Sequence, residues 1–358
     1  MTTTTKTPCV DVYTRVTDRI IEQLSRGVKP WLKPWNAEYA AGRITRPLRS
    51  NGEPYRGINV LMLWDAAETH GYACPIWMTF QQAKQFGGYV KKGEHSTPVV
   101  YASTFTKPET NDAGEEIDST IPFLKEYAVF NAEQCEGLPE RFTQMKQEPN
   151  DSIERISHAD AFFRNTGATI EEGGNQAFYR ISDDVVRMPK LETFRDAESH
   201  AATLAHELTH WTRHASRLDR DLGRKRFGDE GYAMEGLVAE LGSAYLCADL
   251  SITPEEREDH AAYIENWLKV LQNDKRAIFS AASHASKAVA FCTACSRRRA
   301  SQWLKNSPPP DSGFHSTPVT RWWSPGSFPR SYHPFKDSRS WTQPLVISND
   351  SFHAGRRL

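Results

Sequence analysis

Residues 201–214 read AATLAHELTHWTRH, and this stretch decides how the rest of the chain is interpreted. Leu204 and Leu208 recur at helical spacing, which predicts a helix with one buried apolar face. His206 and His210 are four positions apart, so they lie one above the other on such a helix. Two imidazoles at this spacing can bind one metal ion.

Glu207 directly follows the first of these histidines, so the stretch contains the pattern H-E-x-x-H. In zinc peptidases with this pattern, both histidines bind the ion and the glutamate takes a proton from metal-bound water. The sequence therefore predicts Zn²⁺ as cofactor, His206 and His210 as ligands and Glu207 as catalytic base. The alternative is a chance match on an ordinary amphipathic helix.

A zinc site of this kind needs a third protein ligand. The segment YAMEGLVAELGSAYLCADL at 232–250 also has a helical pattern and contains Glu235 and Glu240. Five positions on a helix correspond to a rotation of roughly 140°, so both carboxylates cannot face the ion equally. We predict Glu235 as the third ligand and Glu240 as its supporting neighbour. The alternative for either residue is an ordinary solvated carboxylate.

Charge is distributed unevenly along the 358 residues. The net charge is −1, yet residues 1–100 carry +5 and residues 291–358 carry +7, which leaves −13 for residues 101–290. A basic front and an acidic centre predict a polyanionic partner for the front.

The N-terminal MTTTTKTPCVDV has no apolar run, so we expect a cytoplasmic protein without a membrane partner. Six scattered cysteines predict reduced thiols.

Patterning along the chain predicts an α+β fold in two domains of 50–250 residues each, the usual domain size. The first, residues 8–140, mixes helices with strands at 89–105 and 121–135, joined by a polar acidic loop. The second, residues 152–290, is mainly helical, with a strand candidate at 176–189 that would lie beside the helix of the paired histidines.

Residues 291–358 are predicted to form an irregular tail. They contain 8 Pro, 12 Ser and 4 Trp without a sustained period of 2 or 3.6 residues. Such a composition does not build a core. A disordered basic tail is one explanation. A reading frame shifted near codon 290 is the other, and the four tryptophans favour it.

The front of the chain mixes cations with aromatic rings, which is typical of surfaces that bind single-stranded nucleic acid. Pro30 and Pro34 stiffen the loop around Trp31 and Trp35, so that loop could present two rings for stacking. The alternative is that these rings belong to the core, as is predicted for most aromatic side chains. The predicted DNA-binding residues are Lys29, Trp31, Lys33, Trp35, Arg56, Lys91 and Lys92.

Two groups of motifs give the chain a family resemblance. The front contains VTDRIIEQLSRGVKPWLKPW and NGEPYRGINVLML, and the back contains HELTHWTRHASRLDRDLG and YAMEGLVAELGSAYLCADL. Over roughly residues 11–288 the chain resembles ArdC-type antirestriction proteins, whose front domain also begins TraC-type plasmid primases. Family members read E-E-L-V-A-E where this chain has Gly236 as the second residue. If the second glutamate of that pair is the family's metal ligand, this chain has lost it at Gly236.

The resemblance also implies a function. The front domain would bind single-stranded DNA, the back would be a zincin-like metallopeptidase domain, and together they would protect incoming plasmid DNA from host restriction. A host restriction component is the implied protein substrate. One alternative is a DNA-binding shield whose metal is structural. Another is a general peptidase whose front domain recognises protein.

Overall fold

The computed structural model describes residues 11–32, 45–110, 116–142, 152–223, 230–254 and 260–306. Within these ranges the chain forms eight α-helices and nine β-strands. The mixture of a strand-rich front and a helix-rich back confirms the predicted α+β class. None of the described helices is long and apolar enough to cross a membrane.

The front of the chain contains three helices and a four-stranded sheet. Helix α1 begins after Asp11, whose carboxylate accepts the backbone N–H of Tyr13 at 2.8 Å and caps the first turn. The strand order of the sheet is β1-β2-β5-β4, and β3 pairs separately with β6. The elements are α1 (Val12–Ser25), β1 (Leu48–Arg49), α2 (Ile58–His70), β2 (Ile76–Met78), α3 (Phe80–Gln85), β3 (Tyr89–Val90), β4 (Thr97–Thr110), β5 (Glu116–Asn131) and β6 (Cys135–Glu136).

Strands β4 and β5 form a long antiparallel hairpin, with pairs that run from Thr97–Val129 to Thr110–Glu116. Its base is buried in the core, whereas Tyr101 and Phe123 are exposed further along. The acidic segment predicted as a loop at 107–120 is therefore largely strand. Cross-strand backbone hydrogen bonds, which the composition of one segment does not reveal, extend the pairing into it.

The back of the chain is mainly helical. Its strands form a three-stranded sheet in the order β7-β9-β8, and the strand candidate at 176–189 is in fact the hairpin β8–β9. The elements are α4 (Ser152–Thr166), β7 (Thr169–Glu172), β8 (Phe178–Arg180), β9 (Val185–Met188), α5 (Ala197–Trp211), α6 (Glu230–Leu250), α7 (His260–Asn273) and α8 (Ala277–Asn306).

Front and back share one hydrophobic core. The Trp31 ring packs edge-on against Trp267 of α7, with centroids 5.7 Å apart, and Trp64 packs in the same way against Tyr245 of α6 at 5.8 Å. The predicted domains 8–140 and 152–290 thus meet through buried aromatic rings. Experiments on the front half are best made with the whole chain, since its core is completed by the back half.

The pattern of YIENWLKVLQNDKRAIFSAASHASKAV predicts a single helix over residues 263–289, and the structure differs from this prediction at two places. It is interrupted between α7 and α8, where the backbone N–H of Ala277 bonds to the carbonyl of Asp274 in a turn. It also continues to Asn306 instead of stopping near residue 290, because Cys292 and Ser296 pack into the core. Irregular sequence therefore begins later than predicted. Residues 307–358 lie outside the described ranges, and the shifted reading frame stays a prediction.

Helices α5 and α6 cross at a glycine. A Cβ on Gly242 would lie 2.6 Å from Oγ1 of Thr209, which is fully buried and already bonded to the carbonyl of Ala205. We expect Gly242→Ala to lower the free energy of unfolding by about 1–3 kcal/mol, because the side chain forces the helices apart. Chemical denaturation measures this. Gly236→Ala on the same helix is the control and should not destabilise, since its Cβ enters open space apart from one atom of Trp267 at 3.7 Å.

Candidate metal-binding site

The paired histidines lie on α5, as the pattern of apolar residues predicts. Leu204, Leu208 and Trp211 are buried on the core side of this helix. The rings of His206 and His210 are 5.0 Å apart at an angle of 74°, on the side that meets α6. The helix therefore brings the two imidazoles together, and α6 provides what surrounds them.

His210 is held by the buried carboxylate of Glu235. Its Nδ1 lies 3.0 Å from Oε1 of Glu235, a residue that is only 2% exposed. Because a carboxylate accepts hydrogen bonds, Nδ1 carries the proton in this pair. In a neutral ring the other nitrogen, Nε2, keeps the lone pair that binding to a metal requires.

Arg220, in the loop after α5, neutralises Glu235. Its Nε and Nη2 donate to the two carboxylate oxygens at 2.8 and 2.7 Å, and Nη2 also donates to the carbonyl of Thr209 at 3.0 Å. Burial alone would raise the pKa of Glu235, but the hydrogen bonds from Arg220 and His210 lower it to about 2. Glu235 is consequently ionised throughout the neutral range.

His206 has an equivalent arrangement that reaches the front of the chain. Its Nδ1 lies 3.5 Å from Oε1 of Glu240, and the second oxygen, Oε2, lies 3.4 Å from Nε1 of Trp31 and 3.7 Å from Nζ of Lys29. Each imidazole thus lies beside a carboxylate. Arg220 is close to the carboxylate of Glu235, and Lys29 is close to that of Glu240. Carboxylate–histidine pairs of this kind fix ring orientation in metal sites.

The imidazoles open into a cavity of about 230 Å³. Glu207 is buried in its wall, and Phe178 and Tyr179 of the edge strand β8 line its rim. An edge strand offers unpaired backbone groups to an extended peptide. The complete lining is Ala177, Phe178, Tyr179, His206, Glu207, His210, Arg213, Tyr232, Glu235, Gly236, Glu240, Tyr263 and Trp267.

The side chains of this site do not supply three metal ligands. Among the described residues, no group of three or more His, Cys, Asp or Glu side chains is arranged to hold an ion. Glu235 or Glu240 as third ligand therefore stays a prediction. Arg220 and His210 occupy the Glu235 carboxylate, while the Glu240 carboxylate lies beside His206, Trp31 and Lys29. The histidine pair alone does not fit a complete zinc site.

Comparison with known proteins places both halves in one family. Residues 10–130 match the N-terminal domain of anti-restriction factor ArdC, and residues 157–284 match the zincin-like metallopeptidase family. The metal-free crystal structure of the antirestriction protein ArdC from plasmid R388 is 43% identical, with a TM-score of 0.67, over 80% of this chain and 98% of that one. The chain belongs to the ArdC antirestriction family.

Other relatives agree with this membership. The Mn(II)-bound structure of the R388 protein is 42% identical with a TM-score of 0.65, over 80% of this chain and 98% of that one. The uncharacterised protein y4eC of Sinorhizobium fredii is 40% identical over 80% of this chain and 93% of its own length. The DNA primase TraC of Escherichia coli is 39% identical over 80% of this chain, which spans 27% of the primase. A zincin-like domain indicates a metal-binding role, although zinc itself stays a prediction.

The structure corrects part of the predicted DNA-binding surface. Trp31 is fully buried and Lys29 is 5% exposed, so neither can meet a nucleic acid in this conformation. Both face Glu240 instead. Arg56 and Lys92 are exposed and Lys91 is half-buried. Lys33 and Trp35 lie outside the described residues.

Several residues at the site were not predicted from the sequence. Arg220 could have been found by asking which cation neutralises a buried glutamate, because an arginine in the loop between the two site helices is well placed. The sequence around Tyr263 and Trp267 of α7 does not indicate that these residues line the site. Their contribution depends on how α7 packs on α6.

Proposed function

We propose that this protein protects plasmid DNA from restriction when it enters a new host, and that it does so in the cytoplasm by binding single strands. The observation that carries the proposal is the match to ArdC across both halves of the chain at 43% identity. The basic front, with its net charge of +5, supports a polyanionic partner.

The DNA-binding surface that we propose centres on α3 and β3, which pack together. Phe80 and Tyr89 are 52% and 58% exposed, far more than a core ring. The hydroxyl of Tyr89 donates to Glu136 at 2.5 Å, which fixes the ring while its faces stay accessible. Such a ring loses little entropy when a base stacks on it.

Cations adjoin these two rings. Lys92 is exposed directly after β3, and Lys91 donates from Nζ to the backbone carbonyl of Glu133 at 2.8 Å, so no carboxylate neutralises it in that contact. Lys84 is exposed on α3. Stacking rings beside phosphate-binding cations are what a single strand requires. This surface replaces Trp31 and Lys29 in the proposal.

A second candidate function is cleavage of a host restriction component. Its support is the position of Glu207, which is buried in the cavity wall near an edge strand. A buried carboxylate there could accept a proton from a water molecule. The incomplete set of metal ligands favours protection by DNA binding over protection by proteolysis.

Conjugative transfer tests both candidates. We expect transfer into a restricting recipient to rise when the wild-type chain is present, with no change for a recipient that lacks restriction. Glu207→Gln should protect as well as the wild type, because the carboxylate contributes nothing to DNA binding. Loss of protection in a folded Glu207→Gln variant would favour cleavage, and no protection by the wild type would contradict the proposed function.

A further inference from the structure

Helix α8 contains no acidic residue. Asp and Glu make up 45 of the 358 residues of the chain, so about four would be expected in the 30 residues of this helix. Its cations include Lys287, Arg298 and Lys305, and all three are exposed. A helix with exposed cations and no acidic residue of its own has a positive surface, which favours an anionic partner.

These three cations lie in one line along the helix and form what we call the α8 stripe. Their spacings are 11 and 7 residues, which at about 100° per residue bring each side chain to within roughly 20° of the one before. The stripe runs for roughly 27 Å, at 1.5 Å per residue. Ala290 and Ala294 lie between the cations, and both are exposed. Because these side chains are small, a polymer backbone can approach the helix closely there.

Carboxylates of the described residues do not neutralise the α8 stripe. Elsewhere on the back half, exposed cations are paired: Lys269 contacts Glu265 at 2.8 Å, and Arg180 contacts Asp183 at 2.7 Å. No ion pair within the described part of the chain involves a cation of the stripe. Its charge therefore remains for a partner.

Two neighbouring arginines contact the protein itself. The guanidinium of Arg299 lies against Gly167, at the C-terminal end of α4, where a Cβ would clash with it. The charge of Arg297 acts on Asp249 of α6. We therefore leave both residues out of the stripe, although they belong to the same basic run.

The α8 stripe fits the phosphates of a nucleic acid better than the surface of a membrane. A helix that lies on a membrane inserts an apolar face among the lipids. The apolar side of α8 is not available for this, because Ala281, Ala285 and Val289 are buried in the core. The stripe offers cations separated by small residues, and such a surface suits a backbone that carries one charge per nucleotide.

We propose that the α8 stripe is a second contact for the phosphates of single-stranded DNA. This inference rests on the proposed function and adds a surface on the back half to the one at α3 and β3. The match to the zincin-like family ends at residue 284, so the stripe lies outside the part of the chain that this match covers. Because no ring lies on the stripe, it adds affinity without distinguishing one base from another.

The test is the salt dependence of DNA binding by the full chain, measured by fluorescence anisotropy with a labelled oligothymidine. Lys287→Ala/Arg298→Ala/Lys305→Ala removes three phosphate contacts. The slope of log affinity against log salt should become shallower by about 2, at roughly 0.7 per contact on a single strand. Between about 50 and 200 mM salt, the wild type should lose about 16-fold more affinity than this variant. The melting temperature should not change, because all three side chains are exposed.

Two controls separate the stripe from a general effect of charge or of α8. Arg26→Ala/Arg180→Ala/Lys269→Ala removes three exposed cations that carboxylates already neutralise, so the net charge changes equally while the slope stays the same. Trp303 is 63% exposed on α8 but lies roughly 140° around the helix from Arg298. Trp303→Ala should therefore bind like the wild type.

The possible outcomes separate this inference from the proposed function. Equal slopes in the wild type and in the stripe variant overturn the inference and leave DNA binding by the front intact. A wild type that binds no DNA at all contradicts the proposed function as well. Vesicles of phosphatidylserine and phosphatidylcholine test the membrane. Sedimentation with these vesicles that is lost in the stripe variant, together with unchanged DNA binding, would assign the stripe to lipid and overturn the inference.

Discussion

Arg220→Ala is expected to lower the free energy of unfolding by about 3–5 kcal/mol, the usual cost of removing one partner of a buried ion pair. The substitution leaves the Glu235 carboxylate, which is 2% exposed, with His210 as its remaining partner among the contacts described above. It also removes the hydrogen bond to the carbonyl of Thr209, which helps to hold the loop against α5. Urea or guanidinium denaturation at pH 7 measures the loss.

The control is the same substitution in an exposed pair. Arg26, directly after α1, contacts Glu22 at 2.6 Å, with side chains 72% and 61% exposed. Arg26→Ala should cost less than about 1 kcal/mol. Adding Glu235→Gln to Arg220→Ala should recover part of the lost stability, since the uncompensated charge disappears. Equal, small losses in Arg220→Ala and Arg26→Ala would show that the buried pair is unimportant for the fold.

The same ion pair predicts how stability depends on pH. The pKa of Glu235 is lowered from 4.5 to about 2 in the folded chain. A lowered carboxyl pKa contributes stability above the unfolded pKa, and that contribution is lost as the pH falls from about 4.5 towards 2. The difference corresponds to roughly 3 kcal/mol. The Arg220→Ala variant should already lack the part of it that Arg220 contributes, while the part from His210 remains.

Local sequence was sufficient to predict the helix of the paired histidines. Leu204, Leu208 and Trp211 are buried, and His206 and His210 face the same cavity, because four residues make about one helical turn. Such a pattern is complete within fifteen residues and needs no knowledge of the rest of the fold.

The third ligand could not be predicted in the same way. One residue along a helix changes direction by roughly 100°, so Glu235 and Gly236 face different surroundings although they are neighbours. Only the packed structure shows that Glu235 meets Arg220, while Gly236 borders Trp267. The role of each position on α6 is decided by the loop after α5 and by α7, both outside the segment itself.

Trp31 illustrates a second limit of the sequence. A tryptophan between prolines and lysines has the composition of a nucleic-acid-binding loop, yet its ring packs against Trp267 of α7. The partner that buries it lies far along the chain, so no local pattern distinguishes a core ring from a stacking ring. Lys29 is also buried, and its ammonium group lies 3.7 Å from the carboxylate of Glu240, which offsets its charge.

The surface at α3 and β3 should account for most of the affinity for single-stranded DNA. We expect the double variant Phe80→Ala/Tyr89→Ala to weaken binding by about 1–3 kcal/mol for each ring that stacks on a base. Fluorescence anisotropy with a labelled oligonucleotide measures this. Lys91→Ala/Lys92→Ala should weaken binding as well and reduce its salt dependence, because fewer counterions are released.

The hairpin β4–β5 provides the matched control. Tyr101 and Phe123 are 53% and 37% exposed and lie 6.3 Å apart, so Tyr101→Ala/Phe123→Ala removes two exposed rings elsewhere on the front half. Because all four rings are exposed, neither double variant should change the melting temperature much. Normal binding by the α3–β3 variant, together with a loss in the hairpin variant, would move the DNA surface to the hairpin. Duplex DNA should compete poorly in either case, since its bases are already stacked and their faces are unavailable to the protein.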